Sequence, residues 1–318
     1  MPDIAIDQLL KIDEKSYRQY FRDPDFGIGL ATQVARSSDL VEKPVRVTEG
    51  SSLVFSVGSR FLKLTPPFFG DSLAAEINAT KLIGNQLPFH IPLIVADGAV
   101  QDWKFVITEA VPGVAAKDVM KKMTPATVIE FAKDIGQIIK AIRTLSIAGF
   151  ERDFGTWDKY LASQLKNQKS IHLARGNSEA WADSISNYVN LHKGLLENLG
   201  EAKLIHADLN HEHLMMDERD GRWRIVGVLD FADAMNAPVE MELVLPILCF
   251  FKGNVLAQRE LVRASGAEFA LLSSNYSELM MTLTLQNRFI ALHDWFAREI
   301  RQGATSIEEI AGAVFPAI

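Results

Sequence analysis

The sequence predicts an α+β chain in two lobes, a smaller β-rich lobe with one main helix followed by a larger, mainly helical one. Between Val45 and Leu64, and again from Ile91 to Glu109, apolar and polar residues alternate in short runs on either side of one helical stretch. After Gly113 the apolar spacing becomes that of helices, and only residues 201–235 return to short strand-like runs. A length of 318 residues, 48% of them hydrophobic, also suits two lobes better than one core. The expected boundaries are 1–44 for a helical leader, 45–113 for the β-rich lobe and 114–318 for the helical lobe.

Residues 1 to 43 begin with helical character and turn loop-like around "FRDPDFG". In "VRVTEGSSLVFSVGSRFLKL", short alternating runs separated by "TEGSS" and "VGSR" read as antiparallel strands joined by tight turns. The next segment, "DSLAAEINATKLIGNQL", spaces Leu73, Ile77, Leu82 and Ile83 for one face of a helix capped by Asp71 or Ser72. Two more strands are expected around the "DGAVQD" turn, ending at Pro112-Gly113. Thr124 and Pro125 then open a long helix that buries Val128, Phe131, Ile135, Ile138, Ile139 and Ile142. Further helices are read at "TWDKYLASQLKNQ", "EAWADSISNYVNLHKGLLENLG", "MELVLPILCFFKG" and "SELMMTLTLQNRFIALHDWFAREI".

Composition narrows the function. The net charge of −7 is modest and the basic residues are scattered, so nucleic acid is not an expected partner. The first residues lack an uninterrupted apolar core of a secretory signal, and no apolar run reaches the roughly 18 residues of a membrane helix. Cys249 is the only cysteine, so it forms no disulfide within the chain and reads as a small core hydrophobe. A reducing, cytoplasmic setting fits these features.

The chemistry concentrates between Leu204 and Glu242. "LIHADLNHEHLMM" holds three histidines, an aspartate and a glutamate, and "RIVGVLDFADA" is an apolar strand that delivers Asp230 at its end. Two strand-like segments joined by a turn at Asp220-Gly221 are expected to bring Asp208, His213 and Asp230 within reach of one another. Such a trio suits metal-assisted phosphoryl transfer, one carboxylate accepting the proton of an attacking hydroxyl and the other holding magnesium on nucleotide phosphates. The β-rich lobe offers Lys63 on a strand, to meet the phosphates, and Glu76 on the next helix, to hold the lysine.

In its order of strand lysine, helix glutamate, crossover, "HADLNHEH" and "VLDFADA", the chain resembles the aminoglycoside phosphotransferases and choline kinase-like small-molecule kinases, which share the protein-kinase-like fold. The resemblance implies a two-lobed fold with a nucleotide-binding N-lobe, and a C-lobe carrying the catalytic loop and the acceptor site. On the H-x-D-x-x-x-x-N loop of that family, Asp208 matches the catalytic base and His206 the loop-shaping histidine. Asp230 matches the metal-binding aspartate, and His213 stands where the family has asparagine, a position at which macrolide kinases also carry histidine. Imidazole is a less typical magnesium ligand than an oxygen donor. Lys63, Glu76, Gly50, Ser51, Ser52, Glu109 and Val111 make up the implied nucleotide-binding set, with a serine-containing turn in place of a glycine-rich loop. ATP or GTP and magnesium are the implied cofactors. The implied partner is a small hydroxylated acceptor, and a homodimer stays open.

Bland readings stand beside these. Aspartates after strands usually cap turns, a strand lysine and a helix glutamate are usually solvated, and Glu212 and His211 read as solvent-facing. A zinc site from His206, His211, His213 and Asp208 has the right residue types but leaves Lys63 and "VLDFADA" unexplained. A non-catalytic nucleotide-binding module is the other alternative, motivated by His213 and the single glycine of "TEGSS". Residues 255–300 carry few acids, and Tyr276, Phe289, Trp295 and Phe296 add aromatic surface or core. An apolar or neutral acceptor therefore fits at least as well as a polycation.

Overall fold

The computed structural model describes residues 6–48, 50, 52–145, 150, 152, 155–267 and 274–318. The chain forms two compact units, one of residues 1–113 with 226–233, the other of residues 114–225 with 234–318.

The first unit is built on an antiparallel sheet. Alternating burial along Leu53–Val57 (β2) and Arg60–Thr65 (β3) turns Leu53, Phe55, Val57, Leu62 and Leu64 to one face. With Val45–Val47 (β1), Ile94–Val100 (β4) and Trp103–Glu109 (β5), the order is β1-β2-β3-β5-β4. The β4–β5 turn needs only Gln101-Asp102, tighter than the "DGAVQD" expectation, and the sheet continues through Asp97, Gly98 and Ala99. Gly98 is required there, because a Cβ would lie 2.9 Å from the Phe105 ring.

Residues 6–40 are more than a leader. Helices Glu14–Tyr20 (α1) and Ile28–Ser37 (α2) place Tyr17, Leu30, Ala31, Val34 and Ala35 in one cluster with the sheet residues Leu53, Phe55 and Trp103. Tyr17 is ringed by Phe21, Phe26, Phe68, Phe69 and Trp103, and Arg46 stacks over Phe21 and Phe55. Gly70–Ile83 (α3) starts before the expected caps and buries Leu73, Ala79, Thr80 and Ile83. Leu82, expected on that face, is 42% exposed. A later segment of chain completes this unit. The His90 amide donates to the Val226 carbonyl and the Val228 amide to the His90 carbonyl, both at 2.9 Å. Gly227 leaves room for Val111, whose methyl would lie 2.2 Å from any Cβ there.

In the second unit, Pro125–Arg143 (α4) is capped by Thr124, which accepts from the Thr127 amide, and buries Phe131, Ile135, Ile138, Ile139 and Ile142 as the spacing predicts. It meets Val255–Ser265 (α5) at Gly136, where a Cβ would lie 2.7 Å from the Leu261 carbonyl oxygen. Trp157–Ala174 (α6) and Glu179–His192 (α7) follow, each with a capping hydroxyl. Val239–Pro246 (α8) is buried on all sides and runs into a π-helical turn, Ile247–Phe251. The predicted helix from Ser277 breaks after Tyr276–Gln286 (α9), where Asn287 accepts from the Phe289 amide at 2.9 Å and arrests the winding. Tyr276 and Phe296 are core, Phe289 is exposed and Trp295 is half-buried.

Short strands lie between α7 and α8: Lys203–Ile205 (β6) and Leu214–Arg219 (β7), then Arg222–Val228 (β8), which begins in the second unit and ends in the first. The β7–β8 turn is Asp220-Gly221, both at positive φ (51° and 70°), a geometry that glycine and aspartate tolerate. Met235–Ala237 pairs with β6, fixing Met235 opposite Ile205. Among the described residues, no helix is long and apolar enough to cross a membrane.

Candidate active site

Within the first unit, three predicted residues meet. The β3 position of Lys63 sends its ammonium to Glu76 Oε2 at 2.7 Å, and Asp230 Oδ1 and Oδ2 lie 3.5 and 3.4 Å from it. Burial opposes the Lys63 charge, but Asp230 and Glu76 outweigh it and raise the ammonium above its ordinary range. Asp230 stands two residues beyond the end of β8 at φ 61°, an unusual conformation for a residue other than glycine, and its Oδ1 accepts the Ala232 amide at 3.2 Å. Phe231, the next residue, is buried completely and anchors that turn.

The other nucleotide candidates are spread along the same unit. Gly50 has φ 78°, a conformation glycine adopts freely, and among the described residues nothing lies within 4 Å of where a Cβ would stand. Ser52 is half-buried beside it, while Ser51 lies outside the described residues. The Glu109 carboxylate pairs with Arg60 at 2.9 Å, and Val111 packs over Gly227.

Within the second unit, His206, Asp208 and His213 share one loop between β6 and β7. The His213 Nδ1 sits 2.8 Å from the Asp208 carbonyl oxygen and 3.3 Å from its Oδ2. Donation to that carbonyl protonates Nδ1 and puts the ring lone pair on Nε2, the atom that would meet a metal. The Asp208 amide donates to His206 Nδ1 at 3.2 Å, so the fully buried His206 shapes the loop rather than carrying protons. This also dismantles the zinc arrangement: His206 faces inward, and among the described residues no group of three or more His, Cys, Asp or Glu converges. Glu212, expected in solvent, pairs with Lys117 at 3.5 Å, and the Lys117 amide donates to the His211 carbonyl at 2.9 Å.

Two residues of this loop's framework escape a reading of the sequence. Asn210 donates to Asp208 Oδ1 at 3.0 Å and accepts from the Glu212 amide at 2.8 Å. Glu242, on α8 and 2% exposed, accepts the His206 amide at 2.5 Å and the Ala207 amide at 3.0 Å. The second bond matters because Ala207 stands at φ 63°, a conformation that costs an L-residue of this kind about 1 kcal/mol. Burial pushes the Glu242 carboxyl up to about 8, with the two amides pulling it down. Two glutamates, Glu240 and Glu242, in the otherwise apolar run "VEMELVLP" were the available signal, since a carboxylate on a helix buried all round needs donors. Cys249 is half-buried nearby, and burial pushes its thiol up to about 12.

The donor set for magnesium fits in part. Asp230 is a hard oxygen ligand with 32% of its side chain exposed, whereas His213 offers an imidazole.

Residues 45–271 match the model of a family described as the phosphotransferase enzyme family. A search of curated proteins gave no match. Among solved structures, the GDP complex of wild-type aminoglycoside 2'-phosphotransferase-IIIa is similar with a TM-score of 0.62 and 15% identity, over 90% of this chain and 99% of that one. The streptomycin–ATP ternary complex of APH(2")-IIa gives 0.59 and 15% over 89% and 97%. APH(3'')-Id from Streptomyces rimosus, with ADP and streptomycin, gives 0.60 and 14% over 82% and 99%. At these identities the likeness is one of fold: an antiparallel-sheet unit and a helical unit arranged along the chain as in the aminoglycoside phosphotransferases.

Proposed function

Since the chain belongs to the phosphotransferase enzyme family, we propose that it moves the γ-phosphate of ATP or GTP onto a hydroxyl of a small acceptor, with Asp208 as general base. The observation that carries this reading is Lys63 held between Glu76 and Asp230. An ammonium fixed in this way meets the α- and β-phosphates without spending further entropy on its own ordering. Gly50 and Ser52, with Ser51 from the same run of sequence, would cover the phosphates, and Glu109 at the end of β5 and Val111 beyond it would meet the base of the nucleotide.

Asp230 would hold magnesium, with His213 Nε2 as the second donor. Magnesium supplies neutralisation of charge on the β- and γ-phosphate oxygens. Asp208 orients the acceptor hydroxyl and accepts its proton, and Asn210 and His213 hold the carboxylate for that task. His206 and Glu242 hold the loop itself.

For the acceptor, the described helical acids give little support to a polycation. Glu260 pairs with Arg263 at 2.6 Å, Glu299 is buried, and Asp294 is exposed beside His293. We read the acceptor as a neutral hydroxylated molecule ahead of an aminoglycoside. Macrolide-like and amino-alcohol-like molecules belong in the same panel. The setting is cytoplasmic, with neither nucleic acid nor membrane as partner.

The test is nucleotide consumption with ATP and GTP against a panel of hydroxylated acceptors, for wild type and Asp208→Asn. The substitution keeps the loop's shape and removes the proton acceptor, so turnover should fall by about 10²- to 10⁴-fold. Near-normal turnover in Asp208→Asn defeats the assignment of the base.

A further inference from the structure

Lys63 and Glu76 belong to consecutive elements, and the chain that joins them is short. β3 ends at Thr65 and α3 begins at Gly70, which leaves Pro66, Pro67, Phe68 and Phe69 as the link. Phe69 occupies the N-cap position of α3 and makes no side-chain hydrogen bond to the helix. The start of this helix is therefore not fixed by a capping side chain, and packing has to set its place against the sheet.

That packing comes from a distant stretch of sequence. Tyr17, buried in the middle of α1, has its ring centroid 5.6 Å from that of Phe68 and 5.9 Å from that of Phe69, edge to face in both cases at 79° and 75°. Phe68 and Phe69 are themselves 4.8 Å apart. Arg18 adds to the same contact, its guanidinium 5.5 Å over the Phe69 ring. Tyr17 is seated in turn on the sheet, 6.3 Å from the buried Trp103 of β5. Glu76 lies about two turns along α3 from Phe69, so a shift of the helix start is carried to a carboxylate that meets Lys63 at 2.7 Å.

We propose that Tyr17 is a positioning residue of the nucleotide site: by seating Phe68 and Phe69 it fixes the start of α3 and so keeps Glu76 on Lys63. The proposal rests on the kinase reading for its effect on nucleotide affinity, but its structural core does not. The brace lies ahead of residue 45, where the family match begins. Ring contacts carry it, so phenylalanine should serve in place of tyrosine. A purely structural role makes a different forecast, because any loss of buried surface from the same cluster would then act alike. Val34 of α2, buried in that cluster, supplies the control.

The experiment compares full-length wild type, Tyr17→Phe, Tyr17→Leu, Val34→Ala, Glu76→Gln, and Tyr17→Leu combined with Glu76→Gln. Three quantities are read: melting temperature, calorimetric affinity for ATP and GTP with magnesium, and acetylation of Lys63 by trace acetic anhydride, followed by mass spectrometry. Tyr17→Leu and Val34→Ala should both lower the melting temperature. Only Tyr17→Leu should weaken nucleotide binding, by about 10-fold. It should also raise Lys63 labelling by about 3-fold or more, since an ammonium that loses its carboxylate gives up its proton more readily. Tyr17→Phe should match wild type in both readouts. In the Glu76→Gln background, Tyr17→Leu should change either by less than about 2-fold, because the group it positions is gone. Unchanged labelling in Tyr17→Leu overturns the proposal, as do an equal effect of Val34→Ala and full additivity with Glu76→Gln. Should Tyr17→Leu not fold, Phe69→Leu, at a half-buried position, takes its place with the same expectations. Labelling needs no nucleotide, so it decides the role of Tyr17 even if wild type binds neither ATP nor GTP, a result that would count against the kinase reading alone.

Discussion

Around Lys63, two carboxylates from different elements meet one ammonium, and charge is balanced by charge at 2.7 to 3.5 Å. Around Glu242 a carboxyl group meets two backbone amides, with Asp208 adding negative charge. In the proposed reaction the first arrangement supplies side chains that nucleotide and metal would recruit one at a time. The second is made of main chain and must not move, because it sets where Asp208 stands. Functional groups that trade partners are ion-paired here, whereas those that hold a loop are bonded through its amides.

Substitutions can break this contrast at either end. Lys63→Met should have the largest effect. It removes the ammonium that lies between Glu76 and Asp230, at a cost of about 3 kcal/mol, and should abolish nucleotide binding by calorimetry. Retained affinity for ATP and GTP would remove Lys63 from the phosphate site. Asp230→Ala should weaken nucleotide binding with magnesium far more than without it, and equal affinities in both conditions would strike Asp230 from the metal site. Glu242→Gln should lower kcat by about 10-fold or more above about pH 8, where the carboxyl is ionised and its bonds to the two amides are charge-assisted, worth roughly 1.5–3 kcal/mol. Yet the same change should raise the melting temperature at pH 9 relative to wild type, because a buried carboxylate with a raised pKa costs stability once it ionises. A fall in melting temperature at every pH would contradict the charged reading of Glu242. Ala207→Gly should be the mildest. Relief of the φ 63° conformation and the greater freedom of unfolded glycine nearly offset one another, for a net change below about 1 kcal/mol by denaturant titration.

Local pattern made the sheet, the long α4 helix and the Lys63–Glu76 pair legible, because strand alternation, a Thr-Pro cap and residue order are all written within a few residues. Asp208 and Asp230 were legible as carboxylates following apolar runs. The role of Glu242 was not, since it acts on amides tens of positions away. The same holds for residues 6–40, whose aromatic residues find their purpose only against Trp103 and Phe55. Leu82 misled because apolar spacing marks two adjoining stripes of a short helix, and only packing chooses between them.

The passage of β8 from one unit into the other has a practical consequence for anyone dissecting the gene. A fragment stopping at Gly113 would contain every strand of the large sheet, but not the Val226–Asp233 segment that closes the seam at His90 and brings Asp230. Such a truncation would carry Lys63 with half its counter-ions, so the smaller unit is a product of the complete chain and not a detachable module.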